Sequence, residues 1–310
     1  MPIVRMVSAL SALLFLVSIT SKAESVDDPT RVRIPKAVEG TTPLYQYLYD
    51  ALALSLTLTE PEYGPFVLEI DTLPSVQARQ LTSLRVDQAD VIWSITTPER
   101  ESRYDPVYFP LLGGLFSYRL LLIRDGDTRF SSPISKDALR TLTAVQGEDW
   151  PDYTIMKDNG FTVEQADYQI AFKLLKGGFV DYFPRAAFEI CGEMQTRDGF
   201  AIDPQHVLWY PNIMLFFVNK QKPELAQRIQ SGLQKATASG ELITLLTRQP
   251  FFKTLSSLIR HKTRIELVVS LSEQTGALLD MPFYQQISSA ATAEADPVAA
   301  DSLTDCPVSH

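Results

Sequence analysis

Apolar residues in the first third of the chain follow two alternating patterns. Short apolar runs, each ended by turn residues, predict strands at residues 32–34, 66–70 and 90–94. Between these runs, apolar residues recur at helical spacing over residues 44–56 and 75–84. This alternation of strands and helices predicts a parallel sheet with helices packed on its faces.

A second series begins after the polar turn at residues 124–127. Thr162 and Gln165 have the spacing of a capping box, which predicts a helix that continues to a left-handed cap at Gly177. Strands are predicted at residues 179–183 and 212–219, and a further helix is predicted to begin at Pro223. A chain of 310 residues with two such series is expected to form two lobes.

The first 23 residues have the features of a cleaved secretory signal. Arg5 precedes an apolar run over residues 7–19, and Ser21-Lys22-Ala23 has the small residues of a cleavage site. The run is short for a membrane span, and no cysteine at the cleavage point would carry a lipid anchor. We therefore expect export to the periplasm as an unanchored mature chain that begins near Glu24.

Charge and cysteine content limit the function further. Removal of residues 1–23 leaves 26 basic and 37 acidic residues, a formal charge of 26 − 37 = −11. An acidic exported chain is a poor candidate for binding nucleic acid, which requires a basic face. Its two cysteines, Cys191 and Cys306, stand in a compartment that permits a disulfide. Sequence alone leaves open whether they pair.

Signals of catalysis are scarce. The three histidines have no metal-ligand spacing, and neither a Gly-x-Ser-x-Gly elbow nor a phosphate-binding loop is present. We expect no catalytic residue, metal or cofactor. Glu148 and Asp149 have the chemistry for acid–base work, but adjacent acids on a turn are usually solvated.

Arg100 is the residue whose position first indicates a site. It follows the strand at residues 90–94, and open α/β sheets bind ligands beyond the carboxyl ends of their strands. A guanidinium is a planar, permanently charged donor that suits a carboxylate or phosphate. The alternative is a surface arginine that pairs with Glu99 or Glu101.

Three motifs resemble those of the bacterial extracellular solute-binding proteins of family 3, the polar amino-acid type. These are Thr97-Pro98-Glu99-Arg100 after the third strand, Gly178-Phe179-Val180-Asp181, and Phe216-Phe217-Val218-Asn219-Lys220 before Pro223. The resemblance covers residues 32–246 and is strongest to a poorly characterised branch. It implies an α/β, two-lobed, type II periplasmic binding protein-like fold, with each lobe a sheet flanked by helices.

The resemblance also implies a division of the chain. One lobe would contain residues 24–122 and 213–287, and the other residues 125–210. Residues 288–310, rich in Ala, Ser, Thr, Asp and Pro, read as a disordered tail. A small polar solute would be trapped between the lobes by hinge closure.

The expected ligand contacts come from both lobes. By resemblance Arg100 holds a ligand carboxylate, and Thr96 and Thr97 supply hydroxyl groups beside it. On the second lobe, Gly147 is followed by Glu148, Asp149 and Trp150 in place of the family's small hydroxyl residues. We expect this turn to line the cleft, with Trp150 as the aromatic most readily placed there.

Arg185 stands near the place where the family has an acid for the ligand's ammonium group. The hypothesis is a small polar or anionic ligand, with or without one cationic group, clamped between Arg100 and Arg185. The alternative is that Arg185 pairs with Glu189 at helical spacing and does not face the cleft.

Three functions follow from this interpretation. The first is a monomeric periplasmic protein that captures an amino-acid-like solute for a membrane permease. The second is a sensory or interaction module of the same fold that signals to a membrane partner. The third, less favoured, is an enzyme on this scaffold.

Overall fold

The computed structural model describes residues 28–36, 42–187, 189–292 and Cys306. The expected signal segment and cleavage site, residues 1–23, lie outside the described residues. In the described part of the chain, no helix has both the length and the apolar character required to cross a bilayer.

The first stretch of the chain alternates strands and helices, as its apolar pattern predicts. Its elements in order are β1 (Thr30–Lys36), α1 (Thr42–Thr57), α2 (Glu60–Tyr63), β2 (Phe66–Pro74), α3 (Gln77–Arg85), β3 (Val91–Ile95), α4 (Pro98–Arg103) and β4 (Asp105–Val107).

The middle stretch begins with a 3₁₀ turn at Leu115–Ser117. Its elements are β5 (Tyr118–Arg124), α5 (Lys136–Thr141), β6 (Thr143–Gly147), α6 (Pro151–Asp158), β7 (Thr162–Ala166), α7 (Tyr168–Lys176), β8 (Tyr182–Ala186), α8 (Ile190–Gln195) and β9 (Phe200–Trp209).

The last stretch returns to the first sheet and then adds helices. Its elements are β10 (Met214–Val218), α9 (Pro223–Ala238), α10 (Glu241–Thr247), α11 (Pro250–Ile259), β11 (Thr263–Glu266), α12 (Glu273–Ala277) and α13 (Pro282–Thr292).

The strands form two bodies of sheet. In the first, β1 and β2 pair in parallel, and β10 lies antiparallel between β3 and β4. A hydrogen bond of 2.9 Å from the Asp90 N–H to the Arg33 carbonyl links β3 to β1. The second body is a mixed six-stranded sheet in the order β11-β9-β5-β8-β6-β7. The chain crosses between the bodies before β5 and between β9 and β10, and it crosses twice more on either side of β11.

Ser117 joins the crossing before β5 to the crossing between β9 and β10. Its carbonyl accepts a hydrogen bond from the Tyr210 N–H at 3.2 Å, and its Oγ accepts one from the Asn212 N–H at 3.3 Å. Both crossing segments are buried, so the two connections lie side by side between the sheets.

The capping-box prediction at Thr162 was wrong. Residues Thr162–Ala166 form β7, which pairs in parallel with β6. The helix begins after Asp167, whose carboxylate accepts a hydrogen bond from the Gln169 N–H. A capping box depends only on residues close in sequence, whereas β7 forms because it pairs with β6.

The end of α7 and the following strand also differ from expectation. Gly177 has a φ of −77°, and it is Gly178 that adopts the left-handed conformation, with a φ of +75°. The strand predicted over residues 179–183 is β8, at Tyr182–Ala186. Arg185 therefore lies within a buried strand.

Two parts of the predicted division of the chain differ from the structure. β11 falls in the range assigned to the first lobe, yet it pairs in parallel with β9 of the six-stranded sheet. The predicted disordered tail begins too early, because α13 continues through Thr292. Residues 293–305 and 307–310 lie outside the described residues.

Cys191 and Cys306, whose pairing the sequence left open, form a disulfide with a Cα–Cα distance of 5.1 Å. It closes a loop with a sequence separation of 115 residues. Cross-linking distant residues restricts the unfolded chain and so stabilises the folded one.

Replacing both cysteines by serine is expected to lower the free energy of unfolding by about 2–4 kcal/mol. Urea denaturation of the wild type with and without dithiothreitol, beside the Cys191→Ser/Cys306→Ser variant, measures this. The reduced wild type should match the variant, and the variant should not respond to reductant. A wild type whose stability is unchanged by reductant would contradict the expectation.

Asp90 anchors the start of β3. Its buried carboxylate accepts hydrogen bonds from the Arg33 backbone and guanidinium, and it pairs with Lys222 at 2.6 Å. Burial alone would raise the pKa of Asp90, but the bonds from Arg33 and Lys222 hold this pKa below its usual value. The ionised carboxylate thus stabilises the first sheet.

The variant Asp90→Asn is expected to have a free energy of unfolding about 2–3 kcal/mol lower than that of wild type at pH 7. This is below the roughly 3–5 kcal/mol of a fully buried pair, because Arg33 and Lys222 are each about one-third exposed. Because the pKa of Asp90 is lowered in the folded state, its ionised carboxylate stabilises the folded state at pH values above the unfolded-state pKa, about 3.9. This stabilisation is lost as the pH falls through the folded-state pKa. Denaturation between pH 7 and pH 2 should therefore show a shallower fall for Asp90→Asn. The exposed Asp125→Asn is the control, and equal pH slopes for Asp90→Asn and wild type would refute this role.

Candidate functional site

A short helix places Arg100 at the carboxyl end of β3. Thr97 is the N-cap of α4, and its Oγ1 accepts a hydrogen bond of 3.2 Å from the Arg100 N–H. Pro98 follows in the first turn, where a missing N–H leaves no hydrogen bond unmade. The Thr97 hydroxyl therefore fixes the backbone of Arg100, while its contact with a ligand stays a prediction.

The Arg100 guanidinium is held by four uncharged acceptors. Nη1 donates to Ser94 Oγ and to the Ile95 carbonyl, each at 2.7 Å. Nη2 donates to Gln77 Oε1 at 3.0 Å and to the Asp149 carbonyl at 3.3 Å. The last acceptor belongs to the six-stranded body, so this guanidinium lies between the two sheets.

Burial lowers the pKa of Arg100, although Asp149 and other acids at longer range act in the opposite direction. Among the described residues, no carboxylate oxygen lies within 4.0 Å of its guanidinium nitrogens. A partly desolvated cation without a carboxylate partner is a binding group for an anion.

The alternative, a surface Arg100 paired with Glu99 or Glu101, is not what the structure shows. Glu99 pairs with Arg103 on the exposed face of α4 at 2.8 Å. Glu101 Oε1 accepts hydrogen bonds from Thr96 Oγ1 at 2.6 Å and from Thr275 Oγ1 at 2.8 Å. Thr96 thus helps to anchor α4, and its predicted ligand contact is untested.

The turn after β6 reaches across to the first sheet. The Trp150 N–H donates to the Gly147 carbonyl at 3.2 Å, and Gln165 donates to the Glu148 carbonyl at 3.2 Å. Asp149 Oδ2 accepts a hydrogen bond of 3.2 Å from the Ala78 N–H at the start of α3. Glu148 and Asp149 are both exposed.

Trp150 lies against the backbone of its own turn. Its ring stacks on Phe183, with centroids 6.2 Å apart and planes inclined by 15°. A Cβ at Gly147 would lie 2.6 Å from the Trp150 ring. Only glycine therefore allows the ring to pack at this position. Trp150 is half-buried and forms a wall of the six-stranded body, and its predicted ligand contact is untested.

Arg185 is bound to acids of its own lobe. Its Nε donates to both carboxylate oxygens of Glu193 at 2.9 Å, and its Nη2 pairs with Glu189 at 3.0 Å. The guanidinium carbon lies 4.7 Å from the Trp150 ring centroid and 4.9 Å from that of Phe183. Burial would lower the pKa of Arg185, but Glu193 and Glu189 raise it.

The pair between Arg185 and Glu189 that we considered from their spacing is therefore present. Ligand contact by Arg185 stays a prediction, but its cation is already matched by two carboxylates. Of the two arginines in the predicted clamp, Arg100 has no carboxylate partner among the described residues, whereas Arg185 has two.

A second buried pair lies beside the first. Arg119 Nε donates to Asp152 Oδ1 at 2.6 Å, and the Tyr210 hydroxyl also donates to Asp152. Arg119 donates to the Phe116 carbonyl as well. Burial would raise the pKa of Asp152, but Arg119 holds this pKa below its usual value.

Together these side chains form a lobe-two charge cluster of two guanidiniums and three carboxylates: Arg119, Arg185, Asp152, Glu189 and Glu193. Burial raises the pKa of Glu189. Arg185 lowers this pKa and the negative charge of Glu193 raises it, and the net shift is upward. The Glu189 side chain is 21% exposed, more than that of Asp152 or Glu193. It is the most exposed acid of the cluster.

Sequence reasoning missed Arg119, Asp152 and Glu193. The signal for Arg119 was present, because a charged residue in the apolar run of β5 has to be paired when buried. The sequence could not show which acid pairs with Arg119, because Asp152 lies 33 residues away along the chain. Among the described residues, no group of three or more His, Cys, Asp or Glu side chains is arranged to hold a metal.

Solved structures share this fold. An ancestral arginine-binding protein bound to glutamine matches with 16% identity and a TM-score of 0.54, over 72% of this chain and 99% of that one. A periplasmic binding protein of Salmonella typhimurium with high arginine specificity matches with 16% identity and a TM-score of 0.54, over 71% and 99%. The VFT2 domain of Bordetella pertussis BvgS matches with 16% identity and a TM-score of 0.55, over 71% and 92%.

The chain has the α/β, two-lobed fold of the type II periplasmic binding proteins, so the fold expected from the family resemblance is confirmed. At these identities the likeness establishes the fold alone. No protein-family model matches the sequence, and no curated protein matches it either.

Substituting Gly147→Ala should displace Trp150 and lower the free energy of unfolding by about 1–3 kcal/mol, the usual effect of overpacking. Near-UV circular dichroism and urea denaturation measure the two effects. Gly276→Ala is the matched control, because a Cβ there meets nothing within 4 Å. A Gly147→Ala protein with the spectrum and stability of the control would show that Trp150 is not fixed by this contact.

Proposed function

We propose that this protein is a periplasmic solute-binding protein that captures a small amino-acid-like solute between its two lobes. The observation that carries the proposal is the Arg100 guanidinium, which lies between the sheets and contacts only uncharged acceptors among the described residues. A carboxylate is the anion that this planar donor accepts best in a small polar solute.

The second lobe supports a cationic group on the same solute. The charge cluster contains three carboxylates and two guanidiniums, and Glu189 is its most exposed acid. An ammonium or guanidinium group near Glu189 would balance the remaining negative charge and lower its raised pKa. A solute with one carboxylate and one cationic group satisfies both ends of the site.

Titles of the matching structures name ligands of this kind. They include arginine and glutamine in ancestral arginine-binding proteins, and glutamate in the GluR0 ligand-binding core of Nostoc punctiforme. One match is an ancestral amino-acid-binding protein described as a precursor of cyclohexadienyl dehydratase. We propose binding without catalysis, by a monomer that delivers its solute to a membrane permease after export through the signal in residues 1–23.

The alternative is a sensory module that signals to a membrane partner. It is favoured by the contacts of Asp149 with the first lobe, which join the lobes without a solute. Submicromolar affinity for one amino acid would favour transport, since a transport receptor has to collect dilute solute. Weak binding of several amino acids would favour the sensory role.

A thermal-shift screen with amino acids, dicarboxylates and polyamines, followed by calorimetric titration, tests the proposal. A ligand at a hundred times its dissociation constant stabilises the folded state by about 2.7 kcal/mol. Arg100→Ala should weaken binding of a carboxylate ligand about 10- to 100-fold, as expected for a lost hydrogen bond to a charged group. Arg103→Ala, which removes an exposed arginine from the same helix, should bind as the wild type does. Equal affinity of Arg100→Ala and wild type would remove Arg100 from the site.

A further inference from the structure

Asp149 contacts the first lobe through two different groups. Its carboxylate accepts a hydrogen bond from the Ala78 N–H at 3.2 Å, and its carbonyl accepts one from Arg100 Nη2 at 3.3 Å. Asp149 belongs to the turn between β6 and α6, whereas Ala78 and Arg100 belong to α3 and α4. Both contacts therefore join the two lobes.

The first lobe leaves a donor for this carboxylate. The first four N–H groups of a helix have no partner within the helix, and Ala78 is in the first turn of the nine-residue α3. Val76 is the N-cap of α3 and offers no side-chain hydrogen bond. The cap that α3 lacks in its own lobe is supplied by Asp149, where the helix dipole favours a negative charge.

The turn is held ready to make these contacts. Gln165 fixes the Glu148 carbonyl, and Trp150 packs over Gly147 and stacks on Phe183. Asp149 lies between these two fixed points, so little conformational freedom is lost when it reaches the first lobe.

We propose that Asp149 bridges the two lobes, with its carboxylate capping the start of α3 and its carbonyl accepting a hydrogen bond from Arg100, and so holds the lobes closed without a solute. A solute carboxylate that binds Arg100 Nη2 has to displace the Asp149 carbonyl from it, and so has to move the turn that the Asp149 carboxylate anchors to α3. The displacement step rests on the proposed solute-binding function, whereas the closure step depends only on the contacts between the lobes.

The variant Asp149→Ala removes the side-chain contact and keeps the backbone carbonyl. Glu148→Ala is the matched control, since it removes the neighbouring exposed acid, whose described hydrogen bond is made by its backbone. Asp149→Asn removes the charge and retains an oxygen able to cap α3. Both substituted residues are exposed in the turn, so all three variants are expected to fold, which circular dichroism checks.

Small-angle scattering without solute tests closure. We expect a larger radius of gyration for Asp149→Ala than for wild type and Glu148→Ala, with Asp149→Asn between them. A radius of gyration for Asp149→Ala equal to that of Glu148→Ala would overturn the proposal.

Titration with L-arginine, L-glutamine, L-glutamate and L-lysine, each of which carries a carboxylate, tests displacement. Asp149→Ala should bind the amino acid preferred by the wild type about fivefold more tightly, in proportion to a lost capping interaction. Unchanged affinity in an open Asp149→Ala variant would overturn displacement. If Asp149→Ala opens but no variant binds any of the four, closure by Asp149 stands and the proposed binding of amino acids fails.

Discussion

The placement of one desolvated cation governs this structure. Arg100 is drawn out of water by the closeness of the two lobes, and its four described acceptors are two carbonyls, a hydroxyl and an amide oxygen. These acceptors orient the guanidinium without neutralising it. Because an uncompensated charge is costly at such a position, the region between the lobes favours any negative group that can enter it.

The scaffold around Arg100 is built to keep it there. Glu101, one residue further along α4, accepts hydrogen bonds from Thr96, Thr275 and Tyr108. These bonds connect α4 to the end of β3 and to α12, so the helix that carries Arg100 is fixed from two sides. Arg228 shows the contrasting case, because its buried guanidinium is satisfied within the first lobe by Thr59 and by backbone carbonyls.

The second lobe handles its charges differently. Arg119 and Arg185 are each paired with buried carboxylates, and the desolvation of such pairs offsets much of their attraction. Arg185 also orients its neighbours, because it pairs with Glu189 and lies over the Trp150 ring. The cluster has one more carboxylate than guanidiniums, whereas Arg100 of the first lobe has no carboxylate partner among the described residues.

The sequence was sufficient for the fold and for the position of Arg100 after the third strand, and insufficient for the lobe-two cluster. The Thr97-Pro98-Glu99-Arg100 motif acts within four residues, so a local pattern describes both the cap and the side chain it positions.

Arg185 was harder to place because its partners depend on where β8 begins, and the predicted strand began three residues early. The prediction of a helix start at Thr162 was wrong for a related reason. A capping box is a local pattern, whereas β7 forms because β6 lies beside it. The pairing of Cys191 with Cys306 likewise depends on contacts between distant segments.

Nitrogen-15 NMR of the arginine side chains tests the central claim most directly. The sample is the protein saturated with the carboxylate that stabilises it most, and the resonances of Arg100 are compared with those of Arg228. The account predicts that the ligand shifts the Arg100 Nε and Nη resonances and slows rotation of its guanidinium, while Arg228 does not change. Saturation with a carboxylate ligand that leaves the Arg100 resonances unmoved would contradict it.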